Sequence, residues 1–224
     1  MLLNFNTIKK NKEILTYIKF SDYVFAKIGY KEHNVEHSLF TAERAAFILE
    51  KLKYSKRMQE LAKISGYLHD IGNLVSKKNH AQNGAIIAMH ILSSLDLKEE
   101  RYNSDLFEIF GAIGSHEEKQ MLPPTPIAAA VVLGDKSDVR CQRLRTKDIP
   151  IKDKHSKVIA ACKKTEMDIS YKNKEIFLKL EIDTKICSIM EYFEIFTSRT
   201  VYCSKASKVL GCSFGLFING YRFL

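Results

Sequence analysis

The sequence is poor in the residues that mark flexible or fibrous chains. Four prolines and ten glycines among 224 residues leave no room for a low-complexity linker, and no internal repeat is present. Long hydrophobic stretches are missing too. The longest uncharged apolar run, Pro126 to Gly134, is too short to cross a bilayer, which argues against a membrane partner. The N-terminus, MLLNFNTIKKNKE, has neither an extended hydrophobic core nor a small-residue cleavage site, so no signal peptide is expected. A soluble, cytoplasmic protein follows from these absences as an expectation. Five scattered cysteines, odd in number and without a CxxC pair, weigh against a disulfide framework or a zinc knuckle and fit buried, reduced thiols.

What is present is an ordinary globular composition, 46% hydrophobic and 27% charged, sufficient for one large domain or two small ones. The net charge of +9 is uneven. Between Asp135 and Lys164 there are ten Lys or Arg against four Asp, so this segment carries +6 of the total. Such a cluster is either a solvated face or a surface that meets phosphate.

Residues 1–150 have a helical texture, and a bundle of five or six helices is expected there. Val35, Leu39, Ala42, Ala46 and Leu49 recur at helical spacing, as do Leu61, Ile64 and Leu68 after a capping Ser55. Asn79 and Ser104 stand where caps would precede the next two helices. Pro126 suits the first turn of a helix through PIAAAVVLGDKSDVRCQRLR. Beyond residue 150 the texture changes. KTEMDISY and EIFLKLEI read as strands joined by a turn at Lys172-Asn173-Lys174, followed by a helix over about Lys185–Leu210 and a strand in SFGLFINGYRF. The expected architecture is an all-α bundle over 1–150 with a smaller α+β module, strand-strand-helix-strand, over 151–224. The module's strand edges would suit a homodimer.

The histidines carry the chemistry. His37 opens one predicted helix, His69-Asp70 closes the next, His80 opens another, His116 ends the one after, and Asp135 lies in the helix that follows. A bundle that brings such groups together builds a metal site in its core. Imidazole with carboxylate suits Fe, Mn, Mg or Zn, and a shared Asp suits two ions. His33 and His90 read as core or surface histidines, with His33, four residues before His37, the better placed of the two to join the site, and His155 reads as part of a connector. Asp138, a turn after Asp135, is either a surface acid or an outer carboxylate that orients a ligand.

The ordered set His37, His69-Asp70, Asp135 resembles the HD-domain superfamily of metal-dependent phosphohydrolases. HNVEHSLFTAERAAFIL is similar to its first-histidine helix, GYLHDIGN to its central signature and IAAAVVLGDKSDV to its last-aspartate helix. His80 in HAQNGA and His116 in IGSHEE resemble the binuclear branch, which includes the HD-GYP cyclic-dinucleotide phosphodiesterases and the enzymes that split diadenosine tetraphosphate. The resemblance implies an all-α HD fold and hydrolysis of a phosphate ester or anhydride by metal-activated water. It implies that Asp70 bridges two divalent ions, with His37, His69 and Asp135 on one and His80 and His116 on the other. Two departures stand out: no Gly-Tyr-Pro follows His116, and Asn73 occupies a position where many members have lysine.

A phosphate-bearing small molecule, a nucleotide by preference, is the expected partner. Lys136, Arg140 and Arg143 are its expected binding residues along the Asp135 helix, and Lys136 is also a catalytic candidate beside Asp70. A nuclease on RNA or DNA is the nearest alternative, disfavoured because Lys136 to Lys157 contains no Phe, Tyr or Trp to stack on bases. A metal-containing sensor without turnover is the other.

Overall fold

A computed structural model describes residues 3–27, 31–95, 102–117, 122–145 and 153–224. The helices that build the bundle are α1 (Phe5–Lys10), α2 (Lys12–Phe25), α3 (Val35–Lys51), α4 (Lys56–Leu68), α5 (His80–Ser94), α6 (Tyr102–Gly114) and α7 (Pro126–Lys136). Polar side chains set several of their starts. Asn34 Oδ1 accepts from His37 N, Ser55 Oγ from Met58 N and Thr125 Oγ1 from Ala128 N, with Pro126 in the first turn of α7. Ser104 is no cap, because α6 already begins at Tyr102. α3 is the central helix, packed against both α4 and α7. Every residue of α7 from Ile127 to Lys136 is buried, so its sequence is apolar all round until Asp135 and Lys136.

The helix expected through Arg145 instead ends at Lys136. Ser137 closes it, and a single 3-10 turn, Cys141–Arg143, follows. Arg140 and Arg143 therefore do not lie along the Asp135 helix. The reason is tertiary: Asp138 is fully buried, and the chain bends to bring it against His37.

The C-terminal part contains α8 (Lys154–Ala161), β1 (Cys162–Ser170), β2 (Glu175–Ile182), α9 (Ile189–Val209), β3 (Ser213–Ile218) and β4 (Tyr221–Arg222). The four strands form one sheet in chain order, with β2 and β3 parallel across the α9 connection and the other pairs antiparallel. α8 replaces the connector expected around His155. The single last strand is in fact two, folded at Asn219-Gly220, a turn pair whose positive φ values suit a tight hairpin. The boundary expected near residue 150 lies outside the described residues. Apolar side chains from both parts form one continuous core. Two buried hydrogen bonds reinforce it: Tyr202 Oη donates to Ser115 O at 2.6 Å, and Thr165 Oγ1 to Ser137 O at 2.7 Å. Among the described residues no helix is long and apolar enough to cross a membrane.

His155 on α8 packs its ring on Phe196, 5.0 Å between centroids. Burial, reinforced by the charges of Lys31 and Arg199, pushes its pKa down to about 3. A ring that stays neutral when folded takes up protons on unfolding, so stability rises with pH up to its unfolded value and is lost below it. The ring is itself partly open to solvent, which screens the effect, so between pH 7 and pH 5 this group is worth less than about 1 kcal/mol. The H155F variant, which keeps a ring against Phe196, is expected to lose that share of the acid sensitivity. Urea unfolding of both proteins at the two pH values measures it, and parallel slopes would refute the assignment.

Candidate metal centre

The ends of five helices meet in one place. His37 sits in the first turn of α3, His69 is the residue that closes α4, and Asp70 leads into a 3-10 turn, Ile71–Leu74. His80 is the first residue of α5, His116 follows α6, and Asp135 lies in the last turn of α7. His37, His69 and His116 are almost wholly buried, and Asp70 and Asp135 are each 6% exposed. The six predicted ligands are thus brought together. The rings form an arc of edge-on contacts from His37 to His69 (5.1 Å), His69 to His116 (4.9 Å) and His116 to His80 (4.8 Å).

Hydrogen bonding determines which nitrogen each ring offers. Nδ1–H donates to Gly66 O from His69 (2.8 Å), to Lys77 O from His80 (2.9 Å) and to Ile113 O from His116 (2.6 Å). His37 Nδ1–H donates to Asp138 Oδ2 at 2.9 Å. These partners only accept, so Nδ1 must carry the proton and Nε2 is left with a bare lone pair. All four Nε2 atoms point at Asp70. Its Oδ2 lies 3.5 Å from His37 and 3.1 Å from His69, while its Oδ1 lies 3.5 Å from His80 and 3.9 Å from His116. Asp135 Oδ1 adds a carboxylate 3.3 Å from His37 Nε2 and 3.8 Å from His69 Nε2.

Protein partners do not satisfy this array. His37 Nε2, His69 Nε2 and Asp70 Oδ2 are buried without a hydrogen bond, and the Nε2 atoms of His80 and His116 face each other at 3.0 Å. Opposed lone pairs repel unless a cation lies between or beside them. A divalent ion is what this donor set fits. Three overlapping groups, His37/His69/Asp70, His69/His116/Asp135 and Asp70/His80/His116, each have ligand atoms within 4.8 Å of one another. The electrostatics agree. Burial would raise the Asp70 pKa, but the His69 and His33 rings beside it hold it well below the usual carboxylate range. Burial, with the charges of His80, His69 and Lys136, pushes His116 down and keeps its lone pair free. For His37, burial and Arg143 oppose protonation but the Asp135, Asp138 and Asp70 carboxylates outweigh them, so its pKa is raised.

The surrounding residues divide into those expected and those missed. Lys136 is buried at the centre and donates to Asp135 Oδ2 at 2.6 Å. Asp138 is the orienting carboxylate, not a surface acid. Arg140 and Arg143 are not brought to the pocket. Arg140 forks onto Asp138 (2.7 and 3.2 Å), reaches Glu36 and stacks on Phe40, while Arg143 is buried and donates to Glu32 O and Asp138 O. Their guanidiniums are used up in holding Asp138 and the segment before α3, which argues against the phosphate role expected for them. His90 is exposed. His33 joins the site 3.8 Å from Asp70 Oδ2, and Asn73 Nδ2 donates to Asp70 Oδ1 at 3.1 Å. The centre opens into a cavity of about 150 Å³, whose walls include Phe25, Lys31, Lys77, Glu117 and, from α9, Arg199. The HisAspIleGly string pointed to Asn73. No local pattern pointed to Lys31 or Arg199.

The HD domain family matches residues 34–164, more than half of the chain, and the chain belongs to that family. It is similar to the uncharacterized protein MJ1020 of Methanocaldococcus jannaschii, 27% identical over 186 residues that cover 73% of this chain and 70% of the relative. It is also similar to the crystal structure of a predicted HD superfamily hydrolase from an uncultured Thermotogales bacterium. That chain is 22% identical, with a TM-score of 0.44 over 58% of this chain and 68% of the other.

Two substitutions test the geometry. A Cβ on Gly72 would stand 1.9 Å from His80 O and 2.3 Å from Gly84 N, both backbone atoms, so the 3-10 turn and α5 must separate. G72A is expected to destabilise by about 1–3 kcal/mol, read from urea unfolding; an unchanged midpoint would show that this approach is not tight. D138N removes the negative charge that holds the His37 tautomer and leaves only a neutral amide oxygen to accept its proton. Manganese affinity is expected to drop about 10- to 100-fold with the circular dichroism spectrum retained. Equal affinity in the variant would mean that His37 needs no such partner.

Proposed function

We propose that this chain is a metal-dependent phosphohydrolase that cleaves a phosphate ester or anhydride of a small, nucleotide-like substrate at a binuclear centre. The observation that carries the reading is the division of Asp70, one oxygen facing His37 and His69 and the other facing His80 and His116. On this reading His37, His69 and Asp135 hold one divalent ion, His80 and His116 hold a second, and Asp70 serves both. Ions bound there supply Lewis acidity and bring the pKa of a water towards neutrality.

The chain's own residues supply the rest. Asn73 and the backbone tie from Ser21 Oγ to Asp70 O (2.9 Å) keep the shared carboxylate in one orientation. The Lys136 ammonium neutralises charge that builds on the phosphate oxygens, from a position already set by Asp135. Phe25 gives the cavity an apolar wall that limits water. Hydrolysis adds a water oxygen to phosphorus, breaks the ester or anhydride P–O bond and returns a proton to the departing oxygen. Glu117 lines the same cavity with an unpartnered Oε2 and is placed to take the proton that the water loses. A cavity of this size takes a phosphate group while the organic part stays outside, which favours a small ester over a nucleic-acid strand.

Metal analysis of anaerobically purified protein tests the centre, with H80A alongside. About two ions per chain are expected in the wild type and about one in H80A, together with Mn- or Fe-dependent turnover in a panel of phosphoesters and nucleotides. One ion in both proteins would reduce the site to a mononuclear one. No metal and no turnover would sink the hydrolase reading altogether.

A further inference from the structure

The cations that face the cavity come from four separate parts of the chain, and among the described residues only Lys136 is paired with a carboxylate. Lys136 belongs to Asp135. Arg199, in the middle of α9, lines the cavity with Nη1 buried and without a hydrogen-bond partner, its guanidinium lying 4.6 Å from the Phe196 ring centroid. Lys31, just before α3, lines it as well, and among the described residues no carboxylate pairs with either group. Two unneutralised cations beside a buried centre are unfavourable unless an anion arrives to meet them.

α9 is held so that Arg199 cannot simply swing away. The helix packs on α7 and, three residues past Arg199, Tyr202 is hydrogen-bonded to Ser115 O, the residue before His116. The same bond therefore ties the position of Arg199 to that of a residue of the metal centre. Phe196 supports the guanidinium from one side, leaving its donors to face the cavity.

We propose that Arg199 and Lys31 form the clamp that receives a terminal phosphate, so that the C-terminal module completes the active site and selects phosphomonoesters over diesters. This inference rests on the phosphohydrolase reading and names its substrate class. The charge balance supports it: Lys31, Lys77, Lys136 and Arg199 face Asp70, Asp135 and Glu117 even before any metal is counted. A monoester brings two negative charges and three free oxygens near neutral pH, whereas a diester brings one charge and two. The space supports it too. A cavity of about 150 Å³ takes a phosphate group.

The test is calorimetric titration of manganese-loaded protein with inorganic phosphate, for the wild type, R199Q, R199K and K31Q. R199Q and K31Q are expected to bind phosphate about tenfold or more weakly with unchanged manganese content, and R199K to recover part of the loss. Because the two cations sit on different elements, a folding defect in one variant leaves the other to decide. Phosphate affinity unchanged in both variants would overturn the clamp, whether or not the wild type turns over. Hydrolysis of p-nitrophenyl phosphate and bis(p-nitrophenyl) phosphate supplies the second readout. R199Q is expected to lower kcat/KM for the monoester far more than for the diester. A wild type that prefers the diester would overturn the selectivity. Wild-type protein that binds phosphate through Arg199 but cleaves neither ester would fail the hydrolase reading and leave the clamp standing.

Discussion

A single buried carboxylate sets the terms for the rest of this structure. Asp70 is taken out of water and surrounded by imidazole lone pairs, none of which can donate to it while Nδ1 carries the ring proton. An arrangement of this kind is costly by several kcal/mol per uncompensated charge in a protein interior. Its compensation has to come from cations, and the fold brings both kinds to it: ligand groups arranged for divalent ions, and fixed ammonium and guanidinium groups around the cavity. The helices are placed accordingly. Every ligand lies at or near a helix end or in the turn that follows one; the last-turn carbonyls of α4 and α6 accept the Nδ1 protons of His69 and His116, and Lys77 O in the loop before α5 accepts that of His80. The capping carbonyls thus select the tautomer that leaves Nε2 available.

The basic segment after Asp135 illustrates how the same charges do different work in three dimensions. Arg140 pairs with Asp138 and Glu36, Arg143 with the Glu32 and Asp138 carbonyls, and Arg145 with Asp22. These residues fasten α2 and the lead-in to α3 around the centre. Asp138 is the pivot, since burial would raise its pKa while His37, Arg143 and Arg140 hold it well below the usual carboxylate range. A chain of charges runs from the surface arginine through Asp138 to His37 Nδ1. Removing any member leaves its neighbour buried and unpaired, which is the expensive outcome.

Much of this was legible in the sequence, and the limits have physical causes. His37, His69, Asp70, His80, His116 and Asp135 were recoverable because they fall at or near helix ends, some flanked by local signals such as the Asn34 cap before His37 and the Gly72 turn after Asp70. The α7 boundary was misread because Lys136, Ser137 and Asp138 are compatible with helix, and only the pull of His37 on Asp138 ends it. α8 and the β3–β4 hairpin were missed for a milder reason, since short elements carry too few residues for periodicity to separate them from their neighbours. His33 was legible only as a neighbour of His37 that could join the site, because the loop that aims it at Asp70 depends on Asp22, eleven residues earlier, accepting from its backbone. Arg199 was invisible. Its role depends on a helix packing against another one more than sixty residues away, and no local pattern encodes that.

This distance between Arg199 and the motif residues bears on how the two halves of the chain depend on each other. Tyr202 reaches Ser115 beside His116, and Thr165 reaches Ser137 at the close of α7, so the module grips the bundle at the two segments that lead from His116 and from Asp135. Both contacts are buried hydrogen bonds from a hydroxyl to a backbone carbonyl at a helix end, and the one on Ser137 O adds to the bond that this carbonyl accepts from Val139 N. The bundle supplies the ligands, but two of its carbonyls near the centre take buried hydrogen bonds from outside it. The α+β module is therefore part of the scaffold that positions the metal centre as well as the source of a wall of its cavity, and the continuous core across both parts is the packing expression of that dependence.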